Sequence, residues 1–217
     1  MRKIVLAPDS FKGTMSSIEV CAIAAEAIHA ADPAVEIVQV PIADGGEGTV
    51  DAFLVAAGGC RRTCRVLDPL FREIESFYGI LPDGQTAVIE MAAASGLPLV
   101  GDDKNPLLTT TYGTGQLIAD AIEKGCRRLI IGIGGSATND GGCGMAAALG
   151  TRFLDKDGGD IPLNGGGLAY LDRIDVSRLT PRLRECEISV ACDVNNPLVG
   201  PEGASAVFGP QKGADPV

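Results

Sequence analysis

An apolar run from Leu129 to Ile133 stops at Gly134-Gly135 and gives way to Ser136-Ala137-Thr138-Asn139-Asp140-Gly141-Gly142. Behind it, Cys143 to Leu149 has the alanine-rich composition of a helix. A short apolar run bounded by glycines reads as a buried strand. Strand, glycine loop and helix in that order restrict the chain to an α/β architecture. There, backbone N–H groups in front of a helix can approach a phosphate. Glycine permits the backbone angles and the close approach that such a loop needs. Gly134, Gly135, Ser136, Thr138 and Asn139 are the candidate nucleotide or substrate contacts, and the Asp140 carboxylate adds a group able to hold a divalent cation.

Two familiar loops compete for this stretch. A P-loop ends in Gly-Lys-Ser/Thr, and no lysine lies between Gly132 and Gly150. The dinucleotide fingerprint fits better, as Gly132-x-Gly134-x-x-Ala137 with Asp155 beyond it, but there the helix opens inside the fingerprint. Here Asn139-Asp140-Gly141-Gly142 intervenes and resists helix. A glycine-rich turn packed tightly beside a helix, with no ligand, is the plain structural reading.

Composition narrows the class. Glycine is 29 of 217 residues, aromatics are 4% and tryptophan is absent, so the core is expected to rest on Ala, Val, Ile and Leu. A net charge of −10 argues against a general binder of nucleic acid or anionic membrane. Seven cysteines without a Cys-x-x-Cys pair or metal-ligand spacing read as reduced thiols of a cytoplasmic protein. The first apolar run ends at Pro8, too short for a signal peptide, and none is long enough to cross a membrane.

Along the chain, Lys3 to Ala7 reads as a strand and Pro8 to Thr14 as the loop after it. Ser16-x-x-Glu19 is a capping box opening a helix from about Ser17 to Ala30, with Ile18, Ala22, Ala25 and Ile28 on its apolar face. Lys12 therefore lies between a strand end and a helix start, where open α/β sheets bind ligands; a solvated lysine is the alternative. His29, the only histidine, falls at the helix end and suits the helix dipole. Val35 to Ile42 reads as a second strand, followed by Asp44-Gly45-Gly46-Glu47-Gly48 and a helix from Val50 to Ala57. That string is echoed by Asp140-Gly-Gly-x-Gly144, which places carboxylates at two similar strand ends.

A domain boundary is expected at Gly58-Gly59. Arg62 to Leu67, Glu73 to Leu81 and Thr86 to Met91 read as antiparallel strands, with Asp83-Gly84 as the hairpin signal. Thr109 to Gly115 leads into a helix from Gln116 to Lys124, and Gly125 ends it. Thr151 to Arg184 reads as a hairpin and a surface connection. Glu187 to Cys192 is a further strand, with Asp193 and Asn195 at its end, a pair that suits Mg²⁺ or an Asx-turn before Pro197.

Six blocks in order carry a resemblance. Asp9-Ser-Phe-Lys-Gly-Thr14, Ala43-Asp-Gly-Gly-Glu-Gly-Thr49, Thr111-Tyr-Gly-Thr-Gly115, Gly132-Ile-Gly-Gly-Ser-Ala-Thr-Asn-Asp-Gly-Gly142, Ala191-Cys-Asp-Val-Asn-Asn-Pro-Leu198 and Gly209-Pro-Gln-Lys-Gly213 resemble the type 1 glycerate kinases. The resemblance implies transfer of phosphate from ATP, with Mg²⁺, to a hydroxyl of D-glycerate. It also implies the N-terminal half of a flavodoxin-like parallel-sheet domain (residues 1–58) followed by a second, inserted mixed α/β domain (residues 59–217). Members of that family continue past the Pro-Gln-Lys-Gly block, and Asp215-Pro216 is itself a helix-start signal. The expectation is a fragment that does not turn over alone.

In-line phosphoryl transfer asks the protein mainly to position groups and stabilise charge. Lys12, with Ser10 in the same loop, and the Gly134-Gly135-Ser136 backbone would hold phosphate oxygens. Asp193, Asp44 or Glu47 would hold Mg²⁺, with Asn195 as a neutral ligand. Asp140 or another of these carboxylates would accept the hydroxyl proton, and Lys212 would meet the substrate carboxylate or a phosphate. A dinucleotide-dependent oxidoreductase and a non-catalytic nucleotide-binding fragment are the rival readings.

Overall fold

The structure is a computed structural model and describes residues 2–11 and 14–215, so Lys12 lies outside the described residues. Strands β1 (Lys3–Leu6) and β2 (Glu36–Gln39) pair in parallel, Lys3 opposite Glu36. Helix α1 (Ser17–Ala31) connects them. Its capping box forms as the sequence predicts: Ser16 Oγ accepts the Glu19 N–H at 3.2 Å and Glu19 Oε2 accepts the Ser16 N–H at 2.8 Å. The buried stripe is Ser17, Cys21 and Ala25, so Cys21 takes the place expected of Ala22. Cys21 is small and apolar, and its thiol reaches the Leu6 carbonyl. β2 is shorter than the expected Val35–Ile42: the Val40 and Ile42 N–H groups still donate to the Leu6 and Pro8 carbonyls, but Pro8 has no N–H to give in return.

Helix α2 (Thr49–Ala57) follows, and the chain then builds a larger sheet. Strands β3 (Cys60–Leu67), β4 (Glu73–Ile80) and β5 (Thr86–Glu90) form an antiparallel meander. The short helix α3 (Ala92–Ser95) and the longer α4 (Tyr112–Glu123) lead to β6 (Arg128–Gly132), parallel to β5. Helix α5 (Cys143–Ala148) carries the chain to a small antiparallel pair, β7 (Arg152–Leu154) and β8 (Arg173–Asp175). β9 (Glu187–Ala191) then joins β6 in parallel, giving the order β3-β4-β5-β6-β9, and α6 (Ala204–Phe208) lies beyond it. The fold is mixed α/β, and its described strands form a parallel pair, a five-stranded mixed sheet and a small antiparallel pair.

The core lies between this sheet and α4. Val66, Tyr78, Ala87, Ile89, Leu129 and Ile131 from the strands meet Leu117, Ile118, Ala121 and Ile122 from the helix. α2 covers the opposite face over β4 and β5. Val50 is fully buried there, and Gly79 leaves room for Val50 and Leu54. The chain does turn at Gly58-Gly59, where both glycines have positive φ, yet the helix before that turn is seated on the sheet that comes after it.

α4 begins four residues before the expected Gln116 and takes in Gly113 and Gly115. Both glycines serve close packing rather than a loop. A Cβ on Gly113 would run into the Leu67 carbonyl, and one on Gly115 into the Met145 carbonyl of α5. Among the described residues no helix is long and apolar enough to cross a membrane.

Candidate active site

β5, β6 and β9 run parallel, so their carboxyl ends emerge on one side, and the polar loops gather there. Glu90 and Gly132 are register partners at the last rung of β5 and β6, and Gly132 pairs with Ala191 of β9. The loop from Asp44 to Gly48 lies across these ends. The Gly45 carbonyl accepts the Gly134 N–H at 3.0 Å, and a Cβ on Gly132 would run into the Gly45 carbonyl while one on Gly45 would run into the Ala191 carbonyl. A cleft of about 950 Å³ opens beside this junction, bordered by Ser10, Asp44, Glu47, Glu90 and Gly135.

The glycine loop is anchored at both ends. Gly134 and Ala137 spend their N–H groups on the Gly45 and Ser95 carbonyls, whereas those of Gly135 and Ser136 donate to no described residue. These two are the loop's available anion donors, and Gly135 has a φ of +71°. From the other side Lys212 reaches in. Its Nζ donates to Ser136 Oγ at 2.8 Å and to the Thr138 carbonyl at 2.6 Å. Burial lowers its pKa, with the Asp140 charge opposing. Asn139 Nδ2 donates to Ser205 Oγ at 2.9 Å. Lys212 and α6 thus brace the loop, and the buried Thr138 offers its backbone to that brace.

The echoed strings fold alike. Asp44 Oδ1 accepts the Gly46 N–H and Asp140 Oδ1 accepts the Gly142 N–H, each at 3.0 Å. Each turn ends in a left-handed glycine, Gly48 or Gly142, that starts a helix. Their surroundings differ. Asp44 is exposed on the cleft wall. Asp140 is 1% exposed, and its Oδ2 accepts from the Thr111 N–H at 2.9 Å, the Thr111 hydroxyl at 2.7 Å and the Gly144 N–H at 3.2 Å. It ties α4 to α5 from within. Thr109, Thr110 and Thr111 are buried with it, and Thr109 Oγ1 donates to the Ala137 carbonyl.

Asp193 and Asn195 are exposed beyond β9, next to the Ala191 carbonyl that Gly45 approaches. Glu47 is exposed at the approach to α2, and Ser10 is half-buried in the loop after β1. Among the described residues no three His, Cys, Asp or Glu side chains converge as a metal-ligand set. Separate carboxylates still suit Mg²⁺, which commonly takes one or two from protein and the rest of its shell from phosphate and water.

One carboxylate escaped the sequence reading. Glu90 is 3% exposed, and its Oε2 accepts the Val50 N–H at 3.0 Å at the start of α2, a helix without a side-chain cap of its own. Burial pushes its pKa up to about 7, with Asp51 and Glu47 adding to the rise and the Val50 N–H and Arg61 opposing it. Its signal was present, since a carboxylate closing an apolar strand is what drew notice to Asp193; reading the strand on to Met91 hid it.

The glycerate kinase family profile matches residues 4–217. The chain is 54% identical over 213 residues to the glycerate 2-kinase of Escherichia coli strain K12, covering 98% of this chain and 56% of that protein. It has the same identity and coverage with the glycerate kinase of Bacillus subtilis strain 168. Among solved structures, "putative glycerate kinase 2 from Salmonella typhimurium LT2" superposes with a TM-score of 0.88 at 51% identity, covering 99% of this chain and 58% of that one. The chain thus spans little more than half the length of these relatives. A glycine loop clamped between two further blocks of the same signature, matched nearly end to end, places this chain in the glycerate kinase family.

Proposed function

We propose that the cleft is the phosphoryl-transfer site of an ATP-dependent glycerate kinase. The observation that carries this reading is the meeting of the glycine loop, with two undirected N–H groups, and exposed carboxylates at the carboxyl ends of parallel strands. The Gly135 and Ser136 N–H groups would take phosphate oxygens, as donors fixed in place before the substrate arrives. Lys12, which follows the first strand in sequence, would add a cation for the phosphate. Asp193, with Asn195, and Asp44 would hold Mg²⁺, which when bound neutralises phosphate charge. Lys212 serves this site by fixing Ser136 and Thr138. Asp140, with both oxygens engaged, acts as an anchor for the loop.

Residues from both sides of Gly58-Gly59 border the cleft, and α2, before that turn, packs on β4 and β5 after it. Seven unpaired thiols suit the reducing cytoplasm. A coupled assay of ADP release by the full-length protein tests the reading. ATP, Mg²⁺ and D-glycerate together should give turnover, and omitting Mg²⁺ or glycerate should abolish it. ADP release independent of glycerate, or binding of NADH with a fluorescence change, would contradict it.

A further inference from the structure

We infer that Glu90 is a catalytic residue of this site, its Oε1 receiving the proton of the acceptor hydroxyl during phosphoryl transfer. The inference rests on the kinase reading above and goes beyond it by naming the base. Three structural facts place the group. Glu90 ends β5 as the register partner of Gly132, so it stands one strand away from the start of the glycine loop. Its Oε2 is fixed by the Val50 N–H, which settles the orientation of the carboxyl group. No described residue donates to Oε1. Every side-chain N or O atom sealed from solvent among the described residues has a hydrogen-bond partner, so Oε1 must reach accessible space, and the space Glu90 lines is the cleft.

Two other candidate carboxylates are less suited. Asp140 has both oxygens filled by donors from Thr111, Gly142, Cys143 and Gly144, and Asp193 is exposed beyond β9. Among the described residues, the charged groups that act on Glu90 are Glu47 and Asp51 from the α2 side and Arg61 from β3, and Arg61 is itself paired with Asp51. A base is most effective when its pKa lies near the working pH, and burial brings this one there. The step balances: the acceptor O–H bond breaks as the O–P bond forms, the Pγ–O bond to ADP breaks, and the proton rests on Oε1 until solvent removes it.

The test is Glu90→Gln in the full-length protein, whose amide oxygen can still accept the Val50 N–H. The expected result is a loss in kcat of about a hundredfold or more, with KM for D-glycerate little changed. The acidic limb of kcat/KM near pH 7 should also disappear. ATP protonation is common to both proteins, so the difference between the two profiles belongs to Glu90. Wild-type turnover in E90Q, or the same acidic limb, overturns the inference. If E90Q does not fold, Glu90→Asp replaces it: lost turnover with the limb retained supports the inference, and full turnover overturns it. Absence of glycerate-dependent turnover in the wild type would sink the kinase reading and this inference with it.

Discussion

Asp44 and Asp140 carry the same local chemistry to opposite ends. Each caps its own turn through a 3.0 Å bond to an N–H two residues on, but Asp140 is sealed and Asp44 faces the cleft. Asp140→Asn would set an amide against the Thr111 and Gly144 donors that now share Oδ2 with the Cys143 thiol. We expect a loss on the order of 3 kcal/mol in urea unfolding, because buried donors would lose an acceptor. Asp44→Asn should leave the unfolding midpoint nearly unchanged and depress turnover. If the two variants lose stability equally, burial is not what separates them. Glu90 adds a pH signature. Its carboxyl is about pH 7 in the fold against an ordinary value of 4.5. Below 4.5 it is protonated in both states and costs nothing. Between 4.5 and 7 the unfolded chain ionises first, so stability falls as pH rises, and above 7 the full cost persists. Glu90→Gln should therefore stabilise the protein at pH 8, by on the order of 3 kcal/mol at most, with no gain at pH 4. Thermal melts at the two pH values decide this. The sequence marked Asp44, Asp140 and Asp193 alike because all follow strands; it could not say which would be enclosed. That depends on Thr111, a residue 29 positions away that packs its hydroxyl and N–H on Asp140.

At the scale of elements, strands and helix starts were legible where local chemistry decides them. The Ser16–Glu19 box, the Asp83-Gly84 hairpin and the run into Gly132 all fold as local rules require. Asp83 even takes the Gln85 and Thr86 N–H groups on its carboxylate, both at 2.8 Å. What failed was the start of α4. Gly113 and Gly115 read as loop residues because glycine weakens an isolated helix. Their reason for being there is tertiary: α4 lies against the end of β3 and against α5, and hydrogen is the only side chain that fits. Gly115→Ala makes this measurable. On propensity alone it should stabilise the helix by about 1 kcal/mol. Its Cβ, however, would lie 2.7 Å from the Ala148 Cβ and collide with the Met145 carbonyl. We expect net destabilisation of about 1–3 kcal/mol, the usual cost of overpacking. A higher urea midpoint would mean that α4 and α5 can separate freely. The glycine loop rests on α5, so the same variant should also reduce turnover. One contact of the candidate site was similarly hidden: the brace from Lys212 to Ser136 joins residues 76 apart, and no local pattern announces it.

At the scale of the whole molecule, the described residues leave an apolar face at β9 uncovered. Ile188 and Val190 of β9 pair in register with Leu129 and Ile131, so they lie on the core side of the sheet. Leu129 and Ile131 are 1% and 5% exposed beneath α4, whereas Ile188 and Val190 are 45% and 56% exposed. Leu198 and Val199, just beyond, are among the most exposed apolar side chains described. Among the described residues β9 is also an edge strand, with no strand paired on its outer side. An apolar edge in this form is a template for pairing with another chain. The polypeptide of residues 1–217 should therefore self-associate as its concentration rises and bind a hydrophobic dye in the folded state. Replacing Ile188 and Val190 with lysine should suppress both, since charge on an edge strand opposes pairing. It should do so without lowering the melting temperature, because the two side chains have little packing to lose. Light scattering and dye fluorescence across a concentration series make the comparison. A strictly monomeric, dye-silent wild-type polypeptide would mean that this face is already covered. A double variant that unfolds would mean that Ile188 and Val190 support the sheet from within, and the exposed-edge account would fail.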